Sequence, residues 1–419
     1  MIEEYAQPIE VGRIDIQPGG NGCRVTLGDL NGDGRMEFLT FQPDGGIDDR
    51  YVPHEAQCLT AFGLSGDVLW QVGSPDPDVK GSRSDIPVQI HDIDGDGKLE
   101  VLCVMGGKYR ILDGATGHEK QAFYLPDQDA HDCIVVCNLT GDDHSGDVIL
   151  KDRYRRVWAL DRNWDILWQY EGNPGHYPWP HDFDGDGRDE IMAGYDLLDH
   201  DGSKLWSCRP LDDHADCMIV CRPMPDIPGD QIAIGGSVTV LYSHVGKELW
   251  RYEGSKESQH VAVGQFRESE SELQIVGLDR IERGKNGIDG MFLLSSKGEE
   301  IWKEDRQVRG WLTIVSTLSN WDGTGKDHIL AYRRRGGLMP SLYDGEGLPV
   351  VTFPLDGYVV YADLFGRDLT DVLIYVNGEA RVYSSEAYDL DQPPPSKRLP
   401  HPKRLSHQTL YPGGEYPSE

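Results

Sequence analysis

The chain alternates short apolar runs with turn-forming polar residues along most of its length. A typical stretch has one apolar run at 87–92, a turn rich in Asp and Gly, and a second apolar run at 99–104. Short apolar runs with turn signals on both sides predict β-strands. Long helical patterns are missing, whereas the chain contains 50 Gly and 25 Pro, so the pattern predicts an all-β protein.

A second repeated element is a hairpin with the pattern Leu-Asp-x-x-Gly-x-x-Leu-Trp. Its best copies end at five tryptophans, namely Trp70, Trp168, Trp206, Trp250 and Trp302. Together the two elements form a unit of four strands that recurs about every 40–50 residues, a period typical of β-propeller blades. The sequence therefore predicts a β-propeller.

The repeat units give the number of blades. Eight units begin near Val25, Pro87, Cys133, Trp179, Cys217, His260, Leu312 and Val359. This count predicts an eight-bladed β-propeller, with seven blades as the alternative if one weak unit is an insertion. The last unit has three strands and stops at Tyr383, so we expect an N-terminal strand around Ile9–Ile16 to close the ring. A single propeller domain is expected over 1–385, followed by a Pro-rich extension over 386–419 that forms a strap or a disordered end.

The composition narrows the possible partners. The formal net charge of −31 argues against nucleic acid and anionic membranes as partners. The sequence has no apolar stretch long enough to span a bilayer and no signal-peptide pattern at its N-terminus. We therefore expect a cytoplasmic protein, or a secreted one if a leader has been removed. The oligomeric state stays open.

Three of the turns share one nine-residue signature, at 29–37, 92–100 and 182–190. Each turn offers side-chain oxygens at alternate positions and a Glu four residues after the third, which suits Ca²⁺. The predicted ligands are Asp29, Asn31, Asp33, Glu37, Asp92, Asp94, Asp96, Glu100, Asp182, Asp184, Asp186 and Glu190. The alternative is a set of Asp-Gly turns that only tighten a hairpin. Because these loops join the first two strands of a blade, we expect any bound calcium to be mainly structural.

The loops at the other ends of the blades carry most of the residues suited to chemistry. They contribute Tyr51, His54, Arg83, His131, Arg153, Tyr154, His176, Tyr177, Trp179, His214, Arg309 and Arg333. His131, His176 and His214 each fall just ahead of the innermost strand of successive blades, so we expect them to surround one opening. Taken singly, a loop His is more often a hydrogen-bonded structural residue, and a Trp often packs between blades.

The repeats resemble those of the β-propeller polysaccharide lyases. The resemblance lies in His131-Asp-Cys133, in the Asp-Gly-Asp-Gly turns, and in the segment 175–187 with its continuation at 199–202. Rhamnogalacturonan lyases of the eight-bladed type share this layout, as do propeller lyases that release rhamnose from glucuronate. The resemblance implies β-elimination on a uronic acid within a rhamnose-containing glycan.

That chemistry needs a cation for the C6 carboxylate, a base for the C5 proton and an acid for the leaving oxygen. The resemblance implies that Arg153 pairs with the carboxylate. His54 is the first choice for the base, with His131 or His176 next. Tyr154, Tyr177 or a second His would serve as the acid. The other members of the loop set are expected to bind substrate, with Trp179 stacking on a sugar face.

The expected substrate is a small acidic oligosaccharide cleaved from one end, with the loop 44–55 closing the pocket. The main alternative is a non-catalytic calcium-loop propeller that binds glycan or protein. A second alternative is a glycoside hydrolase that uses two carboxylates, for instance Asp213 and Asp216 with Asp49.

Overall fold

The computed structural model describes residues 5–45, 54–79, 85–209, 211, 213–281, 288–306, 313–333, 337–376, 378–390 and 414–416. These residues form eight sheets, each with four antiparallel strands, arranged as a ring of eight blades. The predicted all-β, eight-bladed propeller is therefore confirmed, and the seven-bladed alternative is wrong. Throughout the described ranges, no helix is long and apolar enough to cross a membrane, and the only helical turn is a 3-10 turn at Gln17–Gly19.

An N-terminal strand, β1 (Ile9–Asp15), precedes the first four blades. Blade one consists of β2 (Arg24–Gly28), β3 (Glu37–Pro43), β4 (Ala56–Phe62) and β5 (Val68–Gly73). Blade two consists of β6 (Val88–His91), β7 (Glu100–Val104), β8 (Lys108–Asp113) and β9 (Glu119–Tyr124). Blade three consists of β10 (Cys133–Cys137), β11 (Asp147–Lys151), β12 (Arg156–Leu160) and β13 (Ile166–Glu171). Blade four consists of β14 (Trp179–His181), β15 (Glu190–Ala193), β16 (Asp196–Leu198) and β17 (Lys204–Ser207).

The second half of the ring repeats this order. Blade five consists of β18 (Cys217–Cys221), β19 (Gln231–Gly235), β20 (Thr239–Ser243) and β21 (Glu248–Tyr252). Blade six consists of β22 (Val261–Gly264), β23 (Gln274–Asp279), β24 (Asp289–Leu294) and β25 (Glu300–Arg306). Blade seven consists of β26 (Thr313–Ser319), β27 (Asp327–Arg333), β28 (Ser341–Tyr343) and β29 (Pro349–Thr352). Blade eight contains β30 (Tyr358–Ala362), β31 (Asp371–Val376) and β32 (Glu379–Ser384), and a final short strand is β33 (Gly414–Glu415).

The N-terminal strand closes the ring, as the repeat count predicted. Strand β1 pairs antiparallel with β32, so it becomes the outermost strand of blade eight. Ile14, near its end, is 2% exposed and belongs to the apolar cluster between blades eight and one. Closure of this kind covers the edge that β32 would otherwise present to solvent.

The outer hairpins are joined from blade to blade by the repeated Trp and Gly. The indole N–H of Trp206 in blade four donates to the carbonyl of His244 in blade five, at 2.8 Å. Gly246 of the same turn has a φ of +80°, and a Cβ there would lie 2.6 Å from the Trp206 ring. The same indole-to-carbonyl bond occurs for Trp70, Trp168, Trp250 and Trp302. The motif is therefore an inter-blade contact.

The last described segment lies in the middle of the ring. Strand β33 pairs in parallel with the free edge of β18, the first and innermost strand of blade five. Glu415 accepts a hydrogen bond from the Trp179 indole and lies 3.1 Å from His181 Nδ1. The Tyr416 hydroxyl donates to Asp327 at the start of β27. This added strand was not predicted from the sequence.

Candidate active site

The candidate site is built from loops at one end of the blades. Asp85, His176 and Asp216 each lie within three residues of the start of a first strand, namely β6, β14 and β18. Tyr154 lies in the loop between the second and third strands of blade three. In an antiparallel blade these loops share one end, and the Asp-Gly turns lie at the opposite end. The topology therefore brings side chains from four blades to one side of the ring.

Tyr154, His176 and Asp85 form a chain of hydrogen bonds. Asp85 Oδ2 lies 3.2 Å from His176 Nδ1, and His176 Nε2 lies 3.3 Å from the Tyr154 hydroxyl. An ionised carboxylate only accepts hydrogen bonds, so Nδ1 carries the imidazole proton and Nε2 keeps its lone pair. Burial, the largest effect, holds the pKa of His176 well below its ordinary value. His176 is therefore a neutral acceptor that faces the Tyr154 hydroxyl.

His214 and Asp216 lie on the other side of His176. The His214 ring is 4.8 Å from the His176 ring and 4.5 Å from the Tyr154 ring, measured between centroids. Burial by itself would lower the pKa of His214. Asp216 and Asp213 have the larger combined effect, so the pKa of His214 is raised. Burial likewise raises the pKa of Asp216 to about 6, although His214 acts in the opposite direction.

A buried network of charges lies beneath these residues. Arg153 Nη1 donates to Asp132 Oδ1 at 2.9 Å and to Asp85 Oδ2 at 3.1 Å. The fully buried Lys151 also pairs with Asp132. Burial alone would raise the pKa of Asp85, but Arg153 and His176 outweigh it, so this pKa lies below its ordinary value. Two cations and two carboxylates offset one another, and the guanidinium of Arg153 still lies 5.3 Å from the Tyr154 ring centroid.

The structure brings together four of the predicted site residues: Arg153, Tyr154, His176 and His214. His131 lies in the same group of loops, beside Asp132, just before β10. His54 is held by Asp44, with His54 Nδ1 3.1 Å from Asp44 Oδ1.

Three other predicted residues have buried partners elsewhere. The Tyr177 hydroxyl donates to the Ile134 carbonyl at 2.6 Å, and Trp179 lies in the apolar cluster of blades three to five. Arg333 is 1% exposed and pairs with Asp289 at 3.0 Å. The remaining predictions, Tyr51, Arg83, Arg309 and Asp49, lie outside the described residues.

The three Asp-Gly turns lie between the first and second strands, as predicted. In the first turn, burial raises the pKa of Glu37 to about 7, with Asp33 and Asp29 adding to the shift. In the third, burial raises the pKa of Glu190 to about 7, with Asp184 and Asp182 contributing. Asp182, Asp184 and Glu190 each offer a ligand oxygen within 4.8 Å of the others. Such oxygen donors suit a hard cation, which would relieve the crowding of carboxylates.

The second turn differs because a lysine reaches into it. Lys120 Nζ lies 2.7 Å from Asp94 Oδ2 and 2.8 Å from Glu100 Oε1. Asp92 Oδ1 is buried and hydrogen-bonded to no residue of the described part. Asp92, Asp94 and Asp96 nevertheless each offer a carboxylate oxygen within 4.8 Å of the others. The second turn is therefore an oxygen-rich site beside the ammonium group of Lys120.

Comparison with known proteins finds two curated relatives, both from Bacillus subtilis. No protein-family model matches the chain. The rhamnogalacturonan exolyase YesX is 23% identical over 429 aligned positions, which cover 82% of this chain and 67% of YesX. The rhamnogalacturonan endolyase YesW is 24% identical over 272 positions, which cover 48% of this chain and 44% of YesW. The chain thus spans about two thirds of one relative and less than half of the other.

Solved structures agree on the fold. The crystal structure of YesX matches with a TM-score of 0.60 and 21% identity, over 87% of this chain and 72% of YesX. The chain resembles the β-propeller rhamnogalacturonan lyases. The V. cholerae biofilm matrix protein Bap1 also matches, with a TM-score of 0.65 and 13% identity, over 97% of this chain and 94% of Bap1. The family resemblance seen in the motifs is thereby confirmed, since both curated relatives are rhamnogalacturonan lyases.

Two carboxylates at the centre of the candidate site, Asp85 and Asp132, were not predicted as site residues. Both are fully buried and both contact Arg153. A signal for them was available, because each lies within three residues of the start of a first strand, the same repeat position that singled out His131 and His176. Asp216, which the structure places beside both histidines, was predicted only for the hydrolase alternative.

Proposed function

We propose that this protein is a polysaccharide lyase that cleaves a uronic acid-containing, rhamnose-containing oligosaccharide by β-elimination. The observation that carries the proposal is the chain from Asp85 through His176 to the Tyr154 hydroxyl, beside the guanidinium of Arg153. The similarity to two rhamnogalacturonan lyases supports the same reaction class.

Tyr154 is the residue that we propose to move the proton. His176 Nε2 accepts the hydrogen bond of the Tyr154 hydroxyl, the phenolic proton passes to solvent, and the nearby Arg153 guanidinium favours the resulting phenolate. The phenolate then takes the C5 proton of the uronic acid, the C4–C5 double bond forms, and the C4–O bond breaks. The leaving oxygen takes the same proton back from Tyr154, which regenerates the phenolate.

The reaction also needs a positive charge that neutralises the C6 carboxylate of the substrate. Arg153 was the expected partner, but it is 6% exposed and already pairs with Asp85 and Asp132. A buried guanidinium shared by two carboxylates has little charge left for a third. The shared guanidinium therefore neutralises the C6 carboxylate only in part.

Calcium is proposed as a structural ligand of the Asp-Gly turns. Residues Asp29 to Glu37 and Asp182 to Glu190 provide the oxygen donors that Ca²⁺ prefers. Since these turns lie at the opposite end of the blades from Tyr154, their proposed role is to hold the first two strands of each blade together.

The proposal is tested with Tyr154→Phe and a panel of oligosaccharides that contain rhamnose and a uronic acid. The wild-type chain should release an unsaturated, ultraviolet-absorbing product, and the variant should lose about 10²–10⁴-fold in kcat/KM. Tyr242→Phe is the matched control, because its hydroxyl bonds Glu248 within the outer strands of blade five. Saturated products would indicate a hydrolase and intact substrate a binding protein, and either result would refute the lyase.

A further inference from the structure

The contact between outer hairpins is reversed between blades two and three. Blade two has Gln121 at the position where five other blades have the hairpin tryptophan, and blade three has Trp164 at the position of the hairpin glycine. The Trp164 indole N–H donates to the carbonyl of Tyr124 at 2.7 Å, so this bond runs from blade three back to blade two. At this interface the tryptophan therefore comes from the opposite partner.

Trp164 is held in a backbone conformation that suits glycine. Its φ is +70°. The glycines at the same position of six other blades have φ between +71° and +94°, namely Gly66, Gly117, Gly202, Gly246, Gly298 and Gly347. A bulky side chain is strained in this left-handed region, and such strain is concentrated at functional sites. The strained tryptophan makes its surroundings a candidate ligand site.

A cavity of about 210 Å³ lies beside Trp164, between blades two and three. Tyr109, Phe123 and Trp164 form an aromatic wall, with the Trp164 ring centroid 4.3 Å from that of Tyr109 and 4.9 Å from that of Phe123. Gln121 also lines the cavity. Pockets for drug-sized ligands measure ~300–1,000 Å³, so this cavity suits a smaller ligand.

Two buried polar atoms of the cavity residues lack hydrogen bonds. Tyr109 is 1% exposed, and its hydroxyl bonds no residue in the described ranges. His144, in the turn between β10 and β11, lines the same cavity, and its buried Nε2 has no partner there either. A buried polar atom without a partner is costly. A ligand that carries hydroxyl groups would satisfy both atoms.

The charged side chains around the cavity are already paired. Lys120 Nζ contacts Asp94 and Glu100, and the Arg162 guanidinium pairs with Asp142. A charged ligand would have to compete with these pairs, whereas a neutral one would leave them intact. The cavity therefore favours a neutral, polar ligand.

We propose that this cavity is a second carbohydrate site, which binds one neutral sugar ring of a glycan. An apolar face of the sugar packs against the aromatic wall, as apolar groups do on aromatic side chains. Sugar hydroxyls both donate and accept, which suits the Tyr109 hydroxyl, the Gln121 amide and His144 Nε2. The turns that carry His144 and Trp164 lie at the opposite end of the blades from Tyr154, so this site is separate from the candidate active site.

The binding test uses the full-length, Ca²⁺-saturated chain with methyl α-rhamnopyranoside and methyl α-galactopyranoside, followed by NMR titration. A ligand of about a dozen non-hydrogen atoms should bind with a dissociation constant of about 1–10 mM. Tyr109→Phe removes only the hydroxyl and should weaken binding about fivefold. Trp164→Gly restores the glycine of the repeat, removes part of the aromatic wall, and should weaken binding about tenfold. Tyr124→Phe is the control, because this tyrosine is 76% exposed and outside the cavity.

The outcomes separate the cavity from the active site and from the lyase reaction. Tyr154→Phe should bind both glycosides like wild type, and binding without any unsaturated product would uphold the cavity and refute the lyase. No binding of either glycoside at about 100 mM would overturn the proposal and leave the cavity to water. Unchanged affinity in Tyr109→Phe and Trp164→Gly, with their melting temperatures intact, would also overturn it. Tighter binding of glucuronic acid than of the neutral glycosides would overturn the assigned ligand class.

Discussion

At the scale of single residues, Asp85 connects the buried charges to the proposed chemistry. One carboxylate oxygen accepts hydrogen bonds from both Arg153 and His176, in a side chain that is fully buried. The contact with Arg153 balances charge, and the contact with His176 sets which ring nitrogen carries the proton. Loss of the charge at Asp85 should therefore affect stability and reactivity together.

Asp85→Asn is expected to lower kcat/KM by about 10²-fold or more, because the amide no longer fixes the tautomer of His176. It should also lower the free energy of unfolding by about 3 kcal/mol, since the buried Arg153 and Lys151 are then balanced by the single carboxylate of Asp132. Steady-state rates and denaturant unfolding measure the two effects. Asp161→Asn, in an outer hairpin turn, serves as the control. Unchanged rates in Asp85→Asn would contradict the proposed hydrogen-bond chain.

At the scale of elements, the outer hairpin does more than turn the chain. In blade five, Gly246 combines a left-handed φ with a close approach to the Trp206 ring of the preceding blade. A glycine is thus needed for two reasons: the backbone is left-handed at this position, and the Trp206 ring leaves no room for a Cβ. The repeated Leu-Asp-x-x-Gly-x-x-Leu-Trp pattern therefore encodes contacts between blades as well as within them.

Gly246→Ala should lower the free energy of unfolding by more than 2 kcal/mol, because left-handed strain of about 1–2 kcal/mol adds to overlap with the indole. Gly107→Ala is matched for backbone strain, with a φ of +71° and no atom within 4 Å of the added methyl group. Denaturant unfolding of both variants isolates the packing contribution. Equal losses would show that the Trp206 contact contributes nothing.

The Asp-Gly turns form the other repeated element, and calcium should stabilise them. Addition of Ca²⁺ to metal-stripped protein should raise the melting temperature in a concentration-dependent way, and Mg²⁺ should do so less, because it fits a flexible loop of many oxygens poorly. Asp184→Asn should weaken this response by removing a charge from the third turn. Asp201→Asn, in the outer hairpin of the same blade, should leave it intact. A melting temperature that does not respond to Ca²⁺ would contradict calcium binding and favour Asp-Gly turns that only tighten a hairpin.

At the scale of the whole molecule, the two ends of the chain complete the ring. Strand β1 supplies the outermost strand of blade eight, and β33 adds to the innermost strand of blade five. Blade eight therefore depends on a segment that lies more than 360 residues away in sequence. Arg381 of β32, for example, donates a hydrogen bond to Glu10 of β1. Such closure makes the stability of the ring sensitive to the N-terminus.

Ile14→Ala is expected to lower the free energy of unfolding by about 2–5 kcal/mol, because a buried side chain leaves a cavity between blades eight and one. Ile9→Ala, in the same strand, removes a side chain that is 42% exposed and should cost much less. Thermal and denaturant unfolding measure both. Similar small losses would mean that β1 closes the ring only loosely.

The sequence by itself determined the architecture. Strand length, Asp-Gly turns and the Trp hairpin are local patterns, and their eightfold repetition with a three-stranded last unit predicted both the blade number and the N-terminal closure that the structure has. The motifs carrying the family resemblance are equally local. The loop positions of Tyr154, His176 and His214 followed from the same repeats.

Only the tertiary structure decided which side chains meet. Asp85 contacts His176 across 91 residues of sequence, and no local pattern specifies that distance or the sharing of Arg153 between two aspartates. The pairing of β33 with β18 likewise depends on a free strand edge that exists only once blade five has formed. Contacts and protonation depend on burial and on neighbours from other blades, which the order of residues along the chain does not contain.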